Sequence, residues 1–451
     1  MTPHDQPTNR ELAAELTLAE PATVMRDSVW RSIPLYEPEL ALIDSAPFQR
    51  LRRVQQLGFA SWVFPGAHHT RFEHSLGVYH LTRRIVLRLL RLDECPPLTR
   101  ADVAAALSAA LLHDLGHYPF SHAADELELS VMRNHEEISQ QLILSAPIAD
   151  ILRSRWGIEP ERPARLLGRR PLRGTDGLLQ DLLSGTLDVD KLDYLIRDAR
   201  HCNVPYGEVD VDRIVETLRV QVDVDGTPRL ALSEKGIGPY QSLVFARYMM
   251  FFNVYWHHTS RICTMMFMRA VQDGVLEGSL PPGELEALDD AGALAWLQGR
   301  PTEGSTSADL ARRLFDRRLY KRALEYVDGE YGYGVLRPLR HDPARRRALE
   351  SAWCEHISRS TGLSLRGHEV LIDVPEEKSF RIEMPLVRRG PGGVTTRVPW
   401  DRRAGLDDEL LTTLQRRIRR VRVVVADETL VQHVSELEGE LLALAASTVV
   451  E

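Results

Sequence analysis

Most of the chain carries apolar residues at helical spacing. The clearest case is TRFEHSLGVYHLTRRIVLRLLRL, where apolar positions recur every three or four residues. The alanine-rich stretch RADVAAALSAALLHDLG predicts a second helix, capped by Thr99 because a threonine oxygen can accept a backbone N–H at a helix start. Further helices are predicted for NHEEISQQLILS, beginning at Asn134, and for the amphipathic stretch TLDVDKLDYLIRDARH.

Other helical patterns are longer or less regular. ELALIDSAPFQRLRRVQQLG predicts one helix that Gly58 ends. The long stretch KGIGPYQSLVFARYMMFFNVYWHHTSRICTMMFMRAVQDGVL predicts a helix interrupted near Asn253. Residues 283–350 are expected to be helical despite a lower apolar content, and VQHVSELEGELLALAAS predicts a helical tail.

Alternating patterns are short and predict strands. Residues 24–40 indicate short strands or turns, and VQVDVDG followed by TPRLALS predicts a hairpin that turns at Asp225 and Gly226. HEVLIDVPEEKSFRIEMPLVRRG indicates strands, and RRIRRVRVVVADETL a strand with a basic lead-in. The prediction is therefore a mainly α protein. It has a polar N-terminal segment (1–22, poorly ordered at its start), a large helical core (23–350) and a small α+β C-terminal lobe (351–451).

Composition narrows the class of protein. In 451 residues, 43% are hydrophobic and 27% charged, as in ordinary soluble proteins. The net charge of -8 and the pI of about 6.1 argue against a protein that coats nucleic acid generally. No apolar run reaches the ~20 residues that span a bilayer, and the N-terminus lacks the pattern of a signal peptide. Four scattered cysteines favour the reducing cytoplasm.

The candidate chemistry begins in ALLHDLGHYPFSH, where His113, Asp114, His117 and His122 follow an apolar helix. A buried helix that ends in a His-Asp pair indicates a charged group at its end, and a metal ion would fit. Other metal-ligand types on separate predicted helices are His74 and Asp190. Each residue alone is more simply a core histidine or a capping acid, but the joint pattern favours a site for Mn, Fe, Co, Ni or Zn.

This H…HD…D pattern is the signature of the HD-domain metallohydrolases. QLGFASWVFPGAHHTRFEHSLGV, LLHDLGHYPFSHAADE and SGTLDVDKLDYLIRDA resemble the branch that hydrolyses deoxynucleoside triphosphates (dNTPs), which includes bacterial dGTPase-like enzymes and an animal enzyme with a SAM domain. The resemblance runs from about residue 27 to about 270, with weaker support in HEVLIDVPEEKSFR. It implies an HD-domain helical core that releases a deoxynucleoside and inorganic triphosphate, and it covers the catalytic part alone.

The resemblance also implies the roles of individual residues. The metal ligands would be His74, His113, Asp114 and Asp190, with Mg²⁺ on the triphosphate. The acid/base cluster at the α-phosphate would be His117, His122, Asp125 and His135, with the proton donor among the histidines left open. The residues expected to contact the substrate are Gln56, Leu57, Arg71, Lys191, Tyr194, Asp198, Arg247, Tyr255 and His257. Of these, Tyr255 would crowd a 2′-hydroxyl and Asp198 would accept the 3′-hydroxyl proton.

A regulatory site is also implied. IDSAPFQRLRR resembles a segment that binds an activating guanine nucleotide, and Asp44, Gln49 and Arg52 match its guanine-recognising positions. GTP or a dNTP is the expected activator. Because such sites lie between subunits in the family, a homo-oligomer, dimer or tetramer, is expected. The alternative is that the segment is only the first core helix.

Two rival functions stay open. One is an HD phosphohydrolase that acts on another nucleotide or on a nucleic-acid phosphate ester. The other is a non-catalytic protein that binds nucleotides or nucleic acid, suggested by the basic runs 165–173, 345–347 and 416–422. A nucleic-acid partner is compatible with the dNTP hydrolase but not required, and no membrane partner is expected.

Overall fold

The computed structural model describes residues 7–120, 123, 126–127, 132–377, 384–390, 395–400 and 408–449. The helices, labelled in chain order, are α1 (Asn9–Leu18), α2 (Glu37–Ile43), α3 (Ala46–Arg50), α4 (Arg71–Leu89), α5 (Arg100–Leu112), α6 (His135–Ile143), α7 (Ile148–Ile151), α8 (Glu161–Leu166), α9 (Gly174–Ser184), α10 (Val189–Cys202), α11 (Val211–Thr217), α12 (Ile237–Met250), α13 (His258–Leu276), α14 (Asp290–Gly299), α15 (Thr306–Phe315), α16 (Tyr331–Leu336), α17 (Pro343–Thr361), α18 (Asp408–Ile418), α19 (Glu428–Glu436) and α20 (Glu438–Val449). The strands are β1 (Thr23–Asp27), β2 (Arg31–Leu35), β3 (Leu218–Val222), β4 (Pro228–Ser233), β5 (Lys321–Val327), β6 (Val370–Asp373), β7 (Leu386–Arg389), β8 (Thr395–Val398) and β9 (Arg420–Val425).

The fold is mainly α with a small α+β lobe, which confirms the predicted class. Strands β1 and β2 form an antiparallel hairpin, and a second sheet has the order β3-β4-β7-β8. In the C-terminal lobe, β9 lies between β5 and β6. Within the described ranges, no helix combines the length and the apolar character needed to cross a membrane.

Several predicted helix starts are confirmed by their capping hydrogen bonds. Asp102 N donates to Thr99 Oγ1 (3.1 Å) and Thr99 N to the Asp102 carboxylate (2.6 Å), so both ends of a capping box are present at α5. Asn134 Oδ1 accepts from Glu137 N at 2.8 Å and begins α6. The interruption expected near Asn253 is also present, as a π-helix over Phe251–Tyr255 between α12 and α13.

The single helix predicted from residue 39 to Gly58 is wrong. Helix α2 ends at Ile43, Ser45 is extended, and α3 spans only Ala46–Arg50. Pro47 explains the break, because proline has no N–H to continue the α2 hydrogen bonds and fits the first turn of a new helix. The chain then continues in short 3₁₀ turns at Leu51–Arg53 and Gly58–Trp62.

The C-terminal half differs from the prediction in two places. Strand β5 lies inside residues 283–350, which were expected to be helical, and it pairs antiparallel with β9. The basic lead-in to the last strand is helix α18, whose Leu411 and Ile418 are buried. Residues 350 and 351, between which the domain boundary is expected, both lie in α17, and the domain division stays a prediction. In the polar N-terminal segment, α1 buries Leu12 and Ala13, whereas residues 1–6 lie outside the described chain.

Two hydrophobic cores position the site. One contains the apolar faces of α4, α5, α9 and α10, and the other lies among α13, α15, α17 and the β5-β9-β6 sheet. Residues of both cores meet around the 3₁₀ turn, where Ala60 belongs to the first core and Phe59 to the second. A cleft opens between the two cores at this level.

Candidate metal centre

The ends of three helices bring His and Asp side chains to one point. His74 lies in the first turn of α4, His113 and Asp114 directly follow α5, and Asp190 is the second residue of α10. The Nε2 atom of His74 is 3.3 Å from Nε2 of His113 and 2.9 Å from Oδ1 of Asp190. His113 Nε2 is 3.3 Å from Asp114 Oδ1 and 4.0 Å from Asp190 Oδ1. The four expected ligands are thus close together.

The orientation of both imidazoles fits a metal ion. His74 Nδ1 lies 2.8 Å from Asp193 Oδ2, and His113 Nδ1 lies 2.9 Å from the carbonyl oxygen of Ala110. Each Nδ1 can therefore donate to an acceptor behind it, which leaves the Nε2 lone pair directed at the shared centre. Metal-binding histidines are typically held in this way. The cluster has the donors of a divalent metal site, and the nitrogen and carboxylate set suits a transition metal.

Positive charge balances the carboxylates of this cluster. Arg71, almost fully buried, places NH1 2.6 Å from Asp114 Oδ2. Burial alone would raise the pKa of Asp114, but Arg71 and the neighbouring histidines outweigh it and hold the pKa well below its usual range. Burial also disfavours the charged form of His74, yet hydrogen bonds to Asp190 and Asp193 raise its pKa to about 10. A metal ion that binds Nε2 would therefore displace a proton from that atom.

His117 and His135 form a stacked pair beside the cluster. Their ring centroids are 4.1 Å apart with an interplanar angle of 15°, and His117 Nε2 is 3.1 Å from Asp114 Oδ1. Burial, with the positive charge of Arg71 and His135, lowers the pKa of His117 to about 3. His122 and Asp125, the other expected acid/base residues, lie outside the described residues.

A second polar group surrounds Asp198 on α10. The Tyr255 hydroxyl donates to Asp198 Oδ2 at 2.8 Å, and His69 Nε2 lies 2.7 Å from Oδ1. The side chains of His69 and Asp198 are 0% and 2% exposed, so this pair is shielded from water. The Tyr194 ring meets the Tyr255 ring edge to face, with centroids 6.2 Å apart. This group presents an aromatic wall and a carboxylate.

Asp114 and Asp190 of the metal cluster line the same cleft as Asp198, Tyr194 and Tyr255, and this cleft has a volume of about 640 Å³. His74 and His113 lie outside its lining. Its lining includes many of the residues expected from the sequence: Gln56, Leu57, Arg71, Asp114, His117, His135, Asp190, Tyr194, Asp198, Arg247 and Tyr255.

Other expected site residues lie elsewhere. The Lys191 ammonium donates to Asp188 and to the Gly185 carbonyl, and it is not part of the cleft lining. His257 is also absent from the lining; its ring lies edge to face against Phe64. The roles expected for Lys191 and His257 therefore stay predictions.

The expected regulatory residues lie together near the start of α3, apart from the cleft lining. Gln49 donates to the Ile43 carbonyl at 2.8 Å, and Arg52 Nε donates to Gln49 Oε1 at 2.9 Å. The Arg52 guanidinium lies 3.5 Å from the Phe72 ring centroid, and Asp44 is exposed. Their nucleotide-binding role remains a prediction.

The residues that support His74 and Asp198 were not predicted from the sequence. His69 stands in the AHHTRFEH stretch, and Asp193 and Arg197 lie one and two turns after Asp190 in α10. The available signal was the placement of Asp193 and Arg197 four residues apart in an otherwise apolar part of the helix, where an unpaired charge would be costly.

Comparisons with known proteins agree with this geometry. Residues 71–164 match the HD domain, and residues 209–391 match the HD associated region. The chain is similar to the uncharacterized protein MJ1154 of Methanocaldococcus jannaschii, with 34% identity over 357 residues, which cover 78% of this chain and 68% of that protein. It is also similar to the Homo sapiens deoxynucleoside triphosphate triphosphohydrolase SAMHD1, with 30% identity over 276 residues, which cover 55% of this chain and 44% of that protein.

A solved structure resembles nearly the whole chain. It is the crystal structure of a hypothetical protein from Aquifex aeolicus, with a TM-score of 0.65 and 27% identity, covering 95% of this chain and 99% of that one. His74, His113 and Asp114 lie inside the region that matches the HD domain, and Asp190 follows it in the chain. The chain belongs to the family of HD-domain proteins.

Proposed function

We propose that this protein is a metal-dependent dNTP triphosphohydrolase, which releases a deoxynucleoside and inorganic triphosphate. The observation that carries the proposal is that Asp198 and Tyr255 line the same cleft as Asp114 and Asp190 of the metal cluster, and that their carboxylate and ring have the chemistry to hold a sugar. Similarity to SAMHD1, whose name states this activity, supports the same reaction class.

His74, His113, Asp114 and Asp190 would hold the divalent cation. Such an ion lowers the pKa of a water molecule and stabilises negative charge on a phosphate. Mn, Fe, Co, Ni and Zn all suit these donors, and Mg²⁺ is expected on the triphosphate because it binds phosphate oxygens readily.

Arginines would stabilise the phosphate charge. Arg71 and Arg247 both line the cleft, and a guanidinium offers several donors to phosphate oxygens. Asp114 fixes the position of Arg71 beside the metal ligands through the 2.6 Å ion pair. Charged donors that are already in place stabilise developing negative charge without reorganisation. Lys191 would add a further charge if its ammonium left Asp188 when substrate binds.

Asp198 would select the sugar. Its carboxylate accepts from Tyr255 and contacts His69, and each oxygen retains a second lone pair that can accept a 3′-hydroxyl proton. The hydrogen bond from the Tyr255 hydroxyl to Asp198 would hold the Tyr255 ring beside the bound sugar. A 2′-hydroxyl would meet that ring, so deoxyribose is favoured.

Histidines would deliver the proton that the leaving 5′-oxygen needs. An alkoxide is a poor leaving group, and a positioned acid commonly contributes a factor of about 10² to 10⁴ in rate. The stacked pair His117 and His135 lines the cleft at the metal cluster. His122 and Asp125 remain part of this proposed acid/base set.

Nucleotide activation and self-association belong to the same proposal. Asp44, Gln49 and Arg52 would read a guanine base, since an acid can accept from its N1 and N2 groups. GTP or a dNTP would then be the activator, bound between subunits of a homo-oligomer.

Product analysis tests the function. The purified protein is incubated with Mn²⁺ and each dNTP, alone and with GTP, and the products are separated by ion-exchange chromatography. We expect the wild type to release deoxynucleoside and triphosphate in equal amounts. The His113→Ala/Asp114→Ala variant should release neither product. The control His68→Gln, at an exposed position near the site, should have the wild-type rate. Release of orthophosphate or pyrophosphate would contradict the proposal and favour another phosphate ester as substrate.

A further inference from the structure

Behind the metal ligand His74 lies a second set of polar residues, here named the outer layer: Asp193, Arg197, Asp27 and Trp30. Asp193 Oδ2 is 2.8 Å from Nδ1 of His74. The side chains of Asp193 and Arg197 are both fully shielded from solvent. Since His74 is itself 1% exposed, the contact is made without competing water.

The carboxylate of Asp193 is held by several donors at once. Arg197 donates through Nε to Oδ2 at 2.8 Å and through NH2 to Oδ1 at 2.9 Å. The Trp30 indole N–H donates to Oδ1 at 2.5 Å. With His74, both oxygens are saturated, so the carboxylate can neither rotate nor withdraw without losing hydrogen bonds.

Arg197 also joins this carboxylate to the β1–β2 hairpin. Its NH1 donates to Asp27 Oδ2 at 2.8 Å, and Asp27 is the last residue of β1. Asp27 Oδ1 in turn accepts the backbone N–H groups of Val29 and Trp30, which shapes the hairpin turn. A continuous chain of hydrogen bonds therefore runs from the hairpin to the imidazole of His74.

Gly77 makes room for this arrangement. It lies one turn after His74 in α4, and a Cβ at this position would overlap Asp193 Oδ1 and Arg197 NH2. An alanine would push Asp193 away from α4 and so away from His74. The requirement is specific, since an added Cβ at Gly238 in α12 would meet nothing.

We propose that the outer layer, together with Gly77, consists of positioning residues that fix the tautomer and direction of His74 and thereby set the affinity for the metal. This inference rests on the proposed metal site. A proton kept on Nδ1 by Asp193 leaves Nε2 as the ligand atom, and loss of such a supporting partner typically weakens metal binding by 10- to 100-fold. The β1–β2 hairpin, which carries none of the four expected ligands, contributes through Asp27 and Trp30.

The test measures metal binding directly, without nucleotide. The Kd for Mn²⁺ is determined by isothermal titration calorimetry, and the visible absorption of bound Co²⁺ reports the geometry of the ligands. Asp193→Asn and Gly77→Ala should each weaken Mn²⁺ binding about 10- to 100-fold and change the Co²⁺ spectrum. Asp27→Asn and Trp30→Phe should weaken it in the same direction by a smaller factor.

Controls separate positioning from general damage to the fold. Gly238→Ala should retain the wild-type Kd and Co²⁺ spectrum. Circular dichroism confirms folding of each variant. Trp30→Phe, which removes the indole N–H and leaves a smaller aromatic ring at a half-buried position, decides the question if the other changes fail to fold. Folded Asp193→Asn and Trp30→Phe with wild-type Kd and spectra would overturn the inference, as would a wild-type protein that binds neither Mn²⁺ nor Co²⁺.

The outcome is distinguishable from a failure of the proposed function. If the protein binds Mn²⁺ but hydrolyses no dNTP, the proposed substrate is wrong. The Mn²⁺ affinities of the variants then still test the role of the outer layer. Conversely, dNTP hydrolysis with Mn²⁺ affinity unaffected by Asp193→Asn would refute the outer layer alone.

Discussion

Asp198 is the residue that we propose to accept a hydrogen bond from the 3′-hydroxyl of the sugar. Its side chain is buried, and His69 and Tyr255 each contact one of its carboxylate oxygens. The partners of Asp198 lie 129 and 57 positions away in the chain, so its environment is created only by folding. A carboxylate fixed in this way offers a substrate hydroxyl a strong, oriented acceptor.

We predict that Asp198→Asn lowers kcat/KM for a dNTP by about 10- to 100-fold, since a hydrogen bond to a charged group is worth roughly 1.5–3 kcal/mol. The same change should have little effect on a 2′,3′-dideoxynucleoside triphosphate, which lacks the hydroxyl. Steady-state kinetics with both substrates give the ratio. Equal losses on the two substrates would show that Asp198 does not contact the 3′-hydroxyl.

His80 should make the stability of the protein sensitive to acid. Burial, and then the nearby Arg84, lower the pKa of His80 to about 4. An unfolded histidine titrates near 6.5. The unfolded state therefore binds the proton more tightly, so the stability present above pH 6.5 is lost as the pH falls towards 4.

His80 should account for about 2 kcal/mol of the fall in the free energy of unfolding of the wild type between pH 7 and pH 5. We predict that the fall is smaller by this amount in His80→Gln. Urea denaturation at the two pH values measures the decrease. His68→Gln, at an exposed position, should leave it unchanged. An identical decrease in His80→Gln and the wild type would mean that the buried imidazole is protonated without cost.

At the scale of residues, the sequence predicted the ligands better than their supports. His74, His113 and Asp114 were expected and do converge. Asp193 and His69 were not expected, because their partners are separated from them by more than 100 positions. The local pair of Asp193 with Arg197 shows that the charge is balanced, but it does not show which side chain on another helix Asp193 contacts.

At the scale of elements, the turn after α5 determines how His117 and His135, two of the histidines proposed for acid/base catalysis, lie against each other. Gly116 N donates to Ser139 Oγ at 2.8 Å, so the turn packs directly on α6. A Cβ at Gly116 would overlap the His135 carbonyl oxygen and Ser139 N. The close approach that only glycine permits therefore keeps His135 stacked on His117.

We predict that Gly116→Ala displaces α6, separates the two histidines and lowers kcat by at least about 100-fold, the usual scale for lost acid/base catalysis. Mn²⁺ affinity should fall much less, because α4, α5 and α10 carry the ligands. Rapid-quench kinetics and calorimetry on the same preparation compare the two quantities. Gly283→Ala, where a Cβ meets nothing, is the matched control, and a Gly116→Ala enzyme with wild-type kcat would contradict the account.

Elements were predictable where local chemistry determines them. The caps Thr99 and Asn134 gave correct starts because their side chains bond within the same turn. Strand β5 was missed because it is specified by its pairing with β9, about 100 residues later. The α2–α3 break was missed because helical spacing continues across Pro47, whereas its backbone cannot.

At the scale of the whole molecule, Arg261 connects the helical core with the C-terminal lobe. It lies on α13 and is buried between Glu126, which lines the cleft, and Asp373 at the end of β6. Its distances to these carboxylates are 2.8 Å and 2.6 Å. The C-terminal lobe thus supports one wall of the cleft, although it supplies none of the metal ligands.

We predict that Asp373→Asn lowers the free energy of unfolding by about 1.5–3 kcal/mol, since it removes the charged acceptor of one side of Arg261 while Glu126 still pairs with the other. Urea denaturation measures the loss. Asp93→Asn, in the exposed pair with Arg10, should change the free energy by less than about 1 kcal/mol. A loss from Asp373→Asn as small as that from Asp93→Asn would show that the two halves do not depend on this link.

In the proposed reaction, water attacks the α-phosphorus, and the bond between this phosphorus and the 5′-oxygen of the deoxynucleoside breaks. Hydrolysis of a dNTP in H₂¹⁸O, followed by mass spectrometry of both products, tests this most directly. We expect one ¹⁸O atom in the triphosphate and none in the deoxynucleoside. Label in orthophosphate, in pyrophosphate or in the deoxynucleoside would contradict it.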